Sequence, residues 1–262
     1  YILSRAKLVA LRDELSYEYL LKLGLKPERL YLGADMAFLM PPASREVVKE
    51  LFMAEGVEND NRFIIGISPS LFQMELKNIF ADSAADKPEV YLMLIAELAD
   101  FAASTFDAGI YLIPHVHPDD SRVCHEVYAC MQHKNRVHVF SGDYPSETVK
   151  GLIGECDIFI SCRMHASIAA LSQAIPTLTL GYQEKYWKLL GSYLGQSDYL
   201  VDIKKPNPRD IQDELKQKLS CMAANCPAIS TRIKERLGII NHRASVYGQR
   251  VAEVISRGKP VC

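Results

Sequence analysis

From Phe63 onward the chain alternates short apolar runs with amphipathic segments, and that alternation leaves few folds open. The runs Phe63–Ser68, Gly109–His115, Arg136–Ser141, Asp157–Cys162, Pro176–Tyr182 and Tyr199–Ile203 read as strands. Between them Pro88–Thr105, Asp119–Gln132, Ser146–Cys156, Met164–Ala174 and Glu184–Leu194 carry helical spacing. Strands that alternate with helices predict an α/β protein with a Rossmann-like, doubly wound parallel sheet. Several runs are apolar throughout, as strands covered by helices on both faces are. Two further helices, Arg209–Ala224 and Ile229–Arg257, close the pattern, with Gly238 and Gly248 as places where the last one bends.

The upstream segment follows a different rhythm. Leu8, Leu11, Leu15, Tyr19 and Leu23 fall three and four apart and predict one helix over 5–23, ended by Gly24. Arg5, Arg12 and Ser16 then share another of its faces. A short strand at Arg29–Leu32, the stretch Asp35-Met36-Ala37-Phe38, the breaker Pro41-Pro42 and a helix from Ser44 to Gly56 follow. The polar run Glu58 to Arg62 is the expected domain boundary, dividing the chain into 1–58 and 59–262.

Charge narrows the function classes. Thirty Lys and Arg stand against 32 Asp and Glu, net −2, so bulk electrostatics argue for no nucleic-acid partner. The balance is uneven: Ser230–Cys262 holds seven basic and two acidic residues, a net of +5 in an otherwise acidic chain. With Tyr247 the one aromatic residue among those charges, a solvated or domain-bridging basic helix is the expectation. None of the seven cysteines forms a C-x-x-C pair. Cys124, Cys156 and Cys162 lie in apolar runs and read as reduced core thiols of a cytoplasmic protein. No apolar stretch approaches the length of a membrane span.

In such a sheet, ligands sit at the carboxyl ends of the strands beside helix N-termini. That rule selects Ser68-Pro69-Ser70, His115-Val116-His117, Ser141-Gly142-Asp143, Arg163-Met164-His165 and Gly181 to Lys185, a rim suited to an anion. Arg163-Met164-His165 is the most informative of these. Within one helix, residues i and i+2 point about 200° apart. At a strand-to-helix junction the first residue is not yet helical, so both side chains can face one ligand, and exposed helix N–H groups add to the anion site. The ordinary alternative is a surface ion pair for Arg163 and a satisfied buried histidine at 165.

The other loops are weaker signals. His115 and His117, with Asp119 and Asp120 nearby, share a face of an extended segment as metal ligands do. Their spacing is no recognised zinc pattern, however, and no third ligand follows at helical distance. No metal is expected, and His115 reads as a strand-end contact to substrate. Asp119 and Asp120 suit a helix N-terminus. Ser68 and Ser70 offer hydroxyls and amides without the glycines of a dinucleotide fingerprint. Cys162 beside Arg163 reads either as a low-pKa thiol or as a buried strand cysteine. Tyr182 and Lys185 offer a phenol and a cation, and Glu184 suits a ribose or a helix N-terminus. P-loop, nucleophile-elbow and zincin patterns are absent from the sequence.

The stretch from Asp157 to Lys185, with Ser161-Cys-Arg-Met-His-Ala166, Ala174-Ile-Pro-Thr-Leu178 and Tyr182-Gln-Glu-Lys185, resembles the signature of polysaccharide pyruvyl transferases. Arg12-Asp13-Glu14-Leu15-Ser16 and Asp35-Met36-Ala37-Phe38 resemble the R-D/E-x-x-S and D-P-A-F elements of that family. Met36 replaces the usual proline, and Ala174 stands where glycine is common. The resemblance covers nearly the whole chain.

It implies a glycosyltransferase-B-like architecture of two facing Rossmann-like halves. Residues 59–262 would be the C-terminal, donor-binding half, and 1–58 the trailing part of the N-terminal one. The implied reaction transfers pyruvate from phosphoenolpyruvate to sugar hydroxyls of a cell-surface polysaccharide or exopolysaccharide, forming a ketal and releasing phosphate. Phosphoenolpyruvate is then the donor substrate, no cofactor is required, and the acceptor is a glycan or lipid-linked sugar that brings the enzyme to the membrane periphery. The resemblance implies that Arg163 holds the anionic donor and that His165 is the general acid. Lys185, Ser68 and His115 would complete the pocket, with Ser70, Met164, Tyr182 and Glu184 beside them and Arg12 reaching in from across the cleft. The alternatives are a nucleotide-sugar glycosyltransferase of the same fold, with Glu184 on a ribose, and a non-catalytic anion- or glycan-binding relative.

Overall fold

The computed structural model describes residues 2–57, 62–71, 88–192 and 194–257. Its centre is a six-stranded, all-parallel sheet: β3 (Ile64–Ser68), β4 (Gly109–Leu112), β5 (Val137–Val139), β6 (Ile158–Ser161), β7 (Thr177–Gly181) and β8 (Leu200–Asp202). The order across the sheet is β5-β4-β3-β6-β7-β8. Winding therefore runs outward in both directions from β3 and β6, and the switch between them opens a crevice at their carboxyl ends. Register sets Ser68 of β3 opposite Ser161 of β6, so the two loops that leave these strands start side by side.

Helices cover both faces. They are α4 (Pro88–Phe106), α5 (Asp119–Cys130), α6 (Ser146–Gly154), α7 (Met164–Leu171), a short α8 (Glu184–Tyr186) running into a wide π-type turn, and α9 (Pro208–Arg257). Ile65, Ile67, Ile110, Leu112, Ile158, Ile160, Leu178 and Leu180 are fully buried, as central strands of such a sandwich require. Gly66 admits no side chain: a Cβ there would lie 2.5 Å from the Cys156 sulfur.

The polypeptide before the sheet forms α1 (Ile2–Arg5), β1 (Val9–Leu11), α2 (Glu14–Lys22), β2 (Leu30–Leu32), a 3₁₀ turn over Met36–Leu39, and α3 (Arg45–Glu55). The single helix expected over 5–23 is replaced by strand β1 and the shorter α2. Asp13 decides the break, because its extended backbone and its carboxylate, which accepts from the Ser16 N–H at 2.7 Å, cap α2 there. Arg12 thus follows a strand, and Arg5, Arg12 and Ser16 do not share a helix face. The helix expected from Ser44 to Gly56 is present as α3, with Ser44 and Gly56 as its caps, Gly56 in the left-handed region with φ 67°. The boundary expected at Glu58 to Arg62 falls mostly on 58–61, outside the described residues.

The two closing helices are one. Ile211, Leu215, Leu219, Met222, Ile229, Ile233, Leu237, Ile240 and Ala244 are all buried and stay in phase across Pro227. That unbroken stripe outweighs the one backbone hydrogen bond a proline removes. The far end of α9 packs on the N-terminal elements. The Tyr31 hydroxyl donates to the Arg243 carbonyl at 3.2 Å, and the Arg250 guanidinium lies 4.9 Å from the Tyr31 ring centroid.

Candidate active site

The loop from β6 into α7 is shaped by Ser161. Its hydroxyl donates to the Arg163 carbonyl at 2.7 Å and accepts from the Arg163 N–H at 3.2 Å. Arg163 stays extended (φ −114°) and Met164 opens the helix. The backbone is the junction the sequence predicts, but the two side chains take different partners. Arg163 donates from Nε and Nη2 to both oxygens of Asp120, at 2.6 and 2.8 Å. Asp120 is 1% exposed and also accepts from the Val116 N–H at 2.9 Å. Arg163 is therefore neither a surface ion pair nor a guanidinium wholly open to a ligand. Asp120 fixes its plane.

His165 points the other way. Its Nε2 lies 3.6 Å from Oδ2 of Asp35, which precedes the 3₁₀ turn, and that same oxygen accepts from Arg12 Nη1 at 2.6 Å. Asp35 also caps the turn by accepting from the Ala37 N–H at 3.0 Å. Although burial opposes its charge, these partners hold its carboxyl down at about 2. Arg12, Asp35 and His165 thus join the N-terminal elements to the head of α7.

His115 sits between these two pairs, near Asp120, Arg163 and His165. Burial drops its pKa to about 4, and its enclosed Nδ1 has no hydrogen-bond partner. Lys185, at the start of α8, is lowered by partial burial and by the Arg12 guanidinium. Cations from two parts of the chain thus lie near enough to repel one another.

The remaining candidates divide. Ser68 is fully buried at the end of β3, and its hydroxyl is without a partner. Ser70 is also fully buried; its N–H donates to the Tyr91 hydroxyl at 3.1 Å, and that hydroxyl donates to the Cys162 sulfur at 2.8 Å. Ser70 belongs to this internal brace rather than to the rim. Met164 and Tyr182 are buried in the core, the Tyr182 ring 5.3 Å from that of Tyr186. Glu184 is exposed. Burial pushes the Cys162 thiol up to about 12, which leaves the buried-cysteine reading and removes the low-pKa one. His117 is turned out toward Asp143, 4.0 Å away, and does not share a site with His115. Among the described residues no three metal-ligating side chains gather.

Local pattern did not reveal Asp120 and Asp35 as partners of the site, because the bonds they make span 43 and 23 residues. Lys150 was also missed. It lies in α6, and only its place in an apolar helix face (Val149, Leu152, Ile153) hinted that it is buried.

A profile of the polysaccharide pyruvyl transferase family matches residues 1–184, from the N-terminal elements through the loop that carries Arg163 and His165. The chain belongs to that family. Among curated proteins no sequence matches. Solved structures share the fold at low identity. UDP-GlcNAc 2-epimerase from Neisseria meningitidis, bound to UDP-GlcNAc, is 12% identical with TM-score 0.60, over 96% of this chain and 62% of that one. A glycosyltransferase from Rickettsia africae is 12% identical with TM-score 0.58, over 95% and 64%. UDP-GlcNAc 2-epimerase from Methanocaldococcus jannaschii is 13% identical with TM-score 0.55, over 82% and 55%. The chain spans less than two thirds of the length of each. Its architecture is that of glycosyltransferase-B-type proteins, and Arg12, Asp35, Arg163 and His165 all lie within the residues the pyruvyl transferase profile covers. Among the described residues no helix is long and apolar enough to cross a membrane.

Proposed function

We propose that this pyruvyl transferase family member transfers pyruvate from phosphoenolpyruvate to a sugar of a cell-surface polysaccharide or exopolysaccharide, as a ketal. The observation that carries this reading is the Arg12–Asp35–His165 constellation: a half-exposed imidazole beside a carboxylate that Arg12 also holds, with the Lys185 ammonium close enough to feel the Arg12 charge. Transfer from this donor needs cations for a carboxylate and a phosphate, and a proton for its methylene carbon. Arg163, held in plane by Asp120, meets the negative donor in a charge-assisted contact, with Lys185 and Arg12 beside it. The neutral His115 lines the cavity beside His165, while Ser68 is enclosed at the end of β3.

His165, as imidazolium, gives its proton to C3 of the enol, which becomes a methyl group. Positive charge develops at C2, where one sugar hydroxyl adds and loses its proton. The C2–O bond to phosphate then breaks, phosphate leaves with one proton, and a second hydroxyl closes the ketal. Two hydroxyl protons are released, one regained by the histidine and one carried by phosphate, so the step balances. The acceptor is a glycan or a lipid-linked sugar, the chain works at the cytoplasmic face of a membrane through that acceptor, and no cofactor is needed.

The test is a thermal-shift comparison of phosphoenolpyruvate with UDP- and GDP-sugars, followed by a transfer assay on a competent acceptor. Stabilisation by phosphoenolpyruvate and release of phosphate with acceptor are expected. Stabilisation by a nucleotide sugar alone would assign the chain to glycosyl transfer instead.

A further inference from the structure

Lys150 is an uncompensated cation. It is 2% exposed on α6, inside the contact between α6 and the 3₁₀ turn. Its ammonium donates to the Met40 carbonyl at 2.5 Å and, at the limit of hydrogen bonding, to the Ala37 carbonyl at 3.5 Å. An ammonium carries three donors, and no carboxylate among the described residues pairs with this one. Desolvation is the sole influence on its titration, which it lowers. The acids on that side are engaged elsewhere: Asp35 by Arg12 and His165, Glu55 by the Tyr144 hydroxyl and by His138 at 3.6 Å. A neutral glutamine would serve two carbonyls without the penalty of burying a charge.

Beside Lys150 lies a cavity of about 210 Å³, walled by His115, His165, Tyr144 and Ser146. It is smaller than the roughly 300–1,000 Å³ of pockets for drug-sized ligands. Its wall contains no carboxylate, and two of its members are the histidines of the candidate active site.

We propose that this cavity is a carboxylate subsite, in which Lys150 supplies the buried counter-charge to the acid end of a three-carbon donor. The assignment rests on the donor reading above and goes beyond it by dividing the donor's two charges. The phosphate lies at the strand ends with Arg163, Lys185 and Arg12, and the carboxylate lies in the cavity. The reactive carbon between them then falls beside His165. Ammonium and carboxylate meet as point charges, and the Ser146 hydroxyl and the Tyr144 ring close the space around them.

Isothermal titration of the full chain with phosphoenolpyruvate, pyruvate and inorganic phosphate tests this, with thermal unfolding run on each variant. Lys150→Met is expected to weaken phosphoenolpyruvate and pyruvate by about tenfold or more while leaving phosphate unchanged; Lys150→Arg, which keeps the charge, is expected to stay within about threefold. Lys150→Met that loses stability yet binds phosphoenolpyruvate as the parent does would overturn the subsite and leave Lys150 as a clamp on the 3₁₀ turn. Parent protein that binds none of the three ligands overturns it as well. Pyruvate binding that needs Lys150, in a chain indifferent to phosphoenolpyruvate, keeps the subsite and discards the donor reading.

Discussion

Two arginine–aspartate pairs flank the site, and they are built differently. Arg163 and Asp120 meet through two bonds, with side chains 18% and 1% exposed, inside the region of the six-stranded sheet. Arg12 and Asp35 meet through one close contact, with Arg12 42% exposed, and they share Asp35 with His165. A buried bidentate pair is rigid and severe to break, because the surviving partner keeps its charge without water. A shared pair whose arginine is half in solvent is weaker on that side and leaves the Arg12 charge available to a ligand. The first pair fixes the plane of the Arg163 guanidinium, and the second sets the charge around the imidazole of His165.

The largest expected effect separates chemistry from folding. His165→Ala should lower the transfer rate by about 10²–10⁴, the share general acid catalysis commonly supplies, with unfolding temperature unchanged. Steady-state transfer assays and thermal scans on one preparation check both halves of that statement.

Next comes the contrast between the pairs themselves. Asp120→Ala should cost about 3–5 kcal/mol by stranding the Arg163 guanidinium, whereas Arg12→Ala, which leaves Asp35 its His165 and Ala37 partners, should cost less while weakening phosphoenolpyruvate binding. Urea titration gives the two stabilities. Equal losses would erase the distinction between a buried, two-bond pair and a half-exposed, shared one.

Acid unfolding sharpens it further. His115 has a folded pKa of about 4, below its ordinary 6.5, so its contribution is whole above about 6.5 and fades as pH falls toward 4. Asp35 is held at about 2 against an ordinary 3.8, so its contribution is whole above about 4 and fades between there and 2. Stability measured against pH should therefore decline in two stages. His115→Gln should flatten the upper stage, and Asp35→Asn the lower one.

The smallest effect concerns backbone. Ala174 sits at φ 62°, in the left-handed region, which explains why the family pattern favours glycine there. Ala174→Gly should stabilise by about 1 kcal/mol, readable as a rise in denaturation midpoint with activity untouched.

The sheet was the legible part of the fold. Runs such as Asp157-Ile-Phe-Ile-Ser-Cys162 are apolar because both faces are covered, and their ends are marked by Gly, Pro and polar residues, so strand edges moved by only a few positions. The segment over 5–23 misled because a three-residue strand is too short to show its own period, and Leu8, Leu11 and Leu15 happen to fall at helical spacing. Asp13 followed by Glu14 and Ser16 was the cue to a helix start that the leucine pattern masked. Pro227 misleads in the opposite sense: it reads as a break, yet the stripe from Ile211 to Ala244 keeps one phase on both sides of it.

In the site, topology alone gathered His115, Arg163, His165 and Lys185, since all four follow strands of one parallel sheet. Their partners Asp35, Asp120 and Lys150 stayed hidden, because which charge meets which is set by packing between distant elements. Ser70, Met164 and Tyr182 stood in the right loops but turn into the core. Position after a strand does not decide which way a side chain faces.

The central claim is that His165 delivers a proton to an enol donor. Its most direct test is nuclear magnetic resonance of phosphoenolpyruvate labelled with carbon-13 at C3, incubated with a competent acceptor glycan and followed together with phosphate release. The parent chain should convert the methylene signal into a ketal methyl with one phosphate released for each, and His165→Ala should do neither. A His165→Ala protein forming the ketal at close to the parent rate would contradict the account.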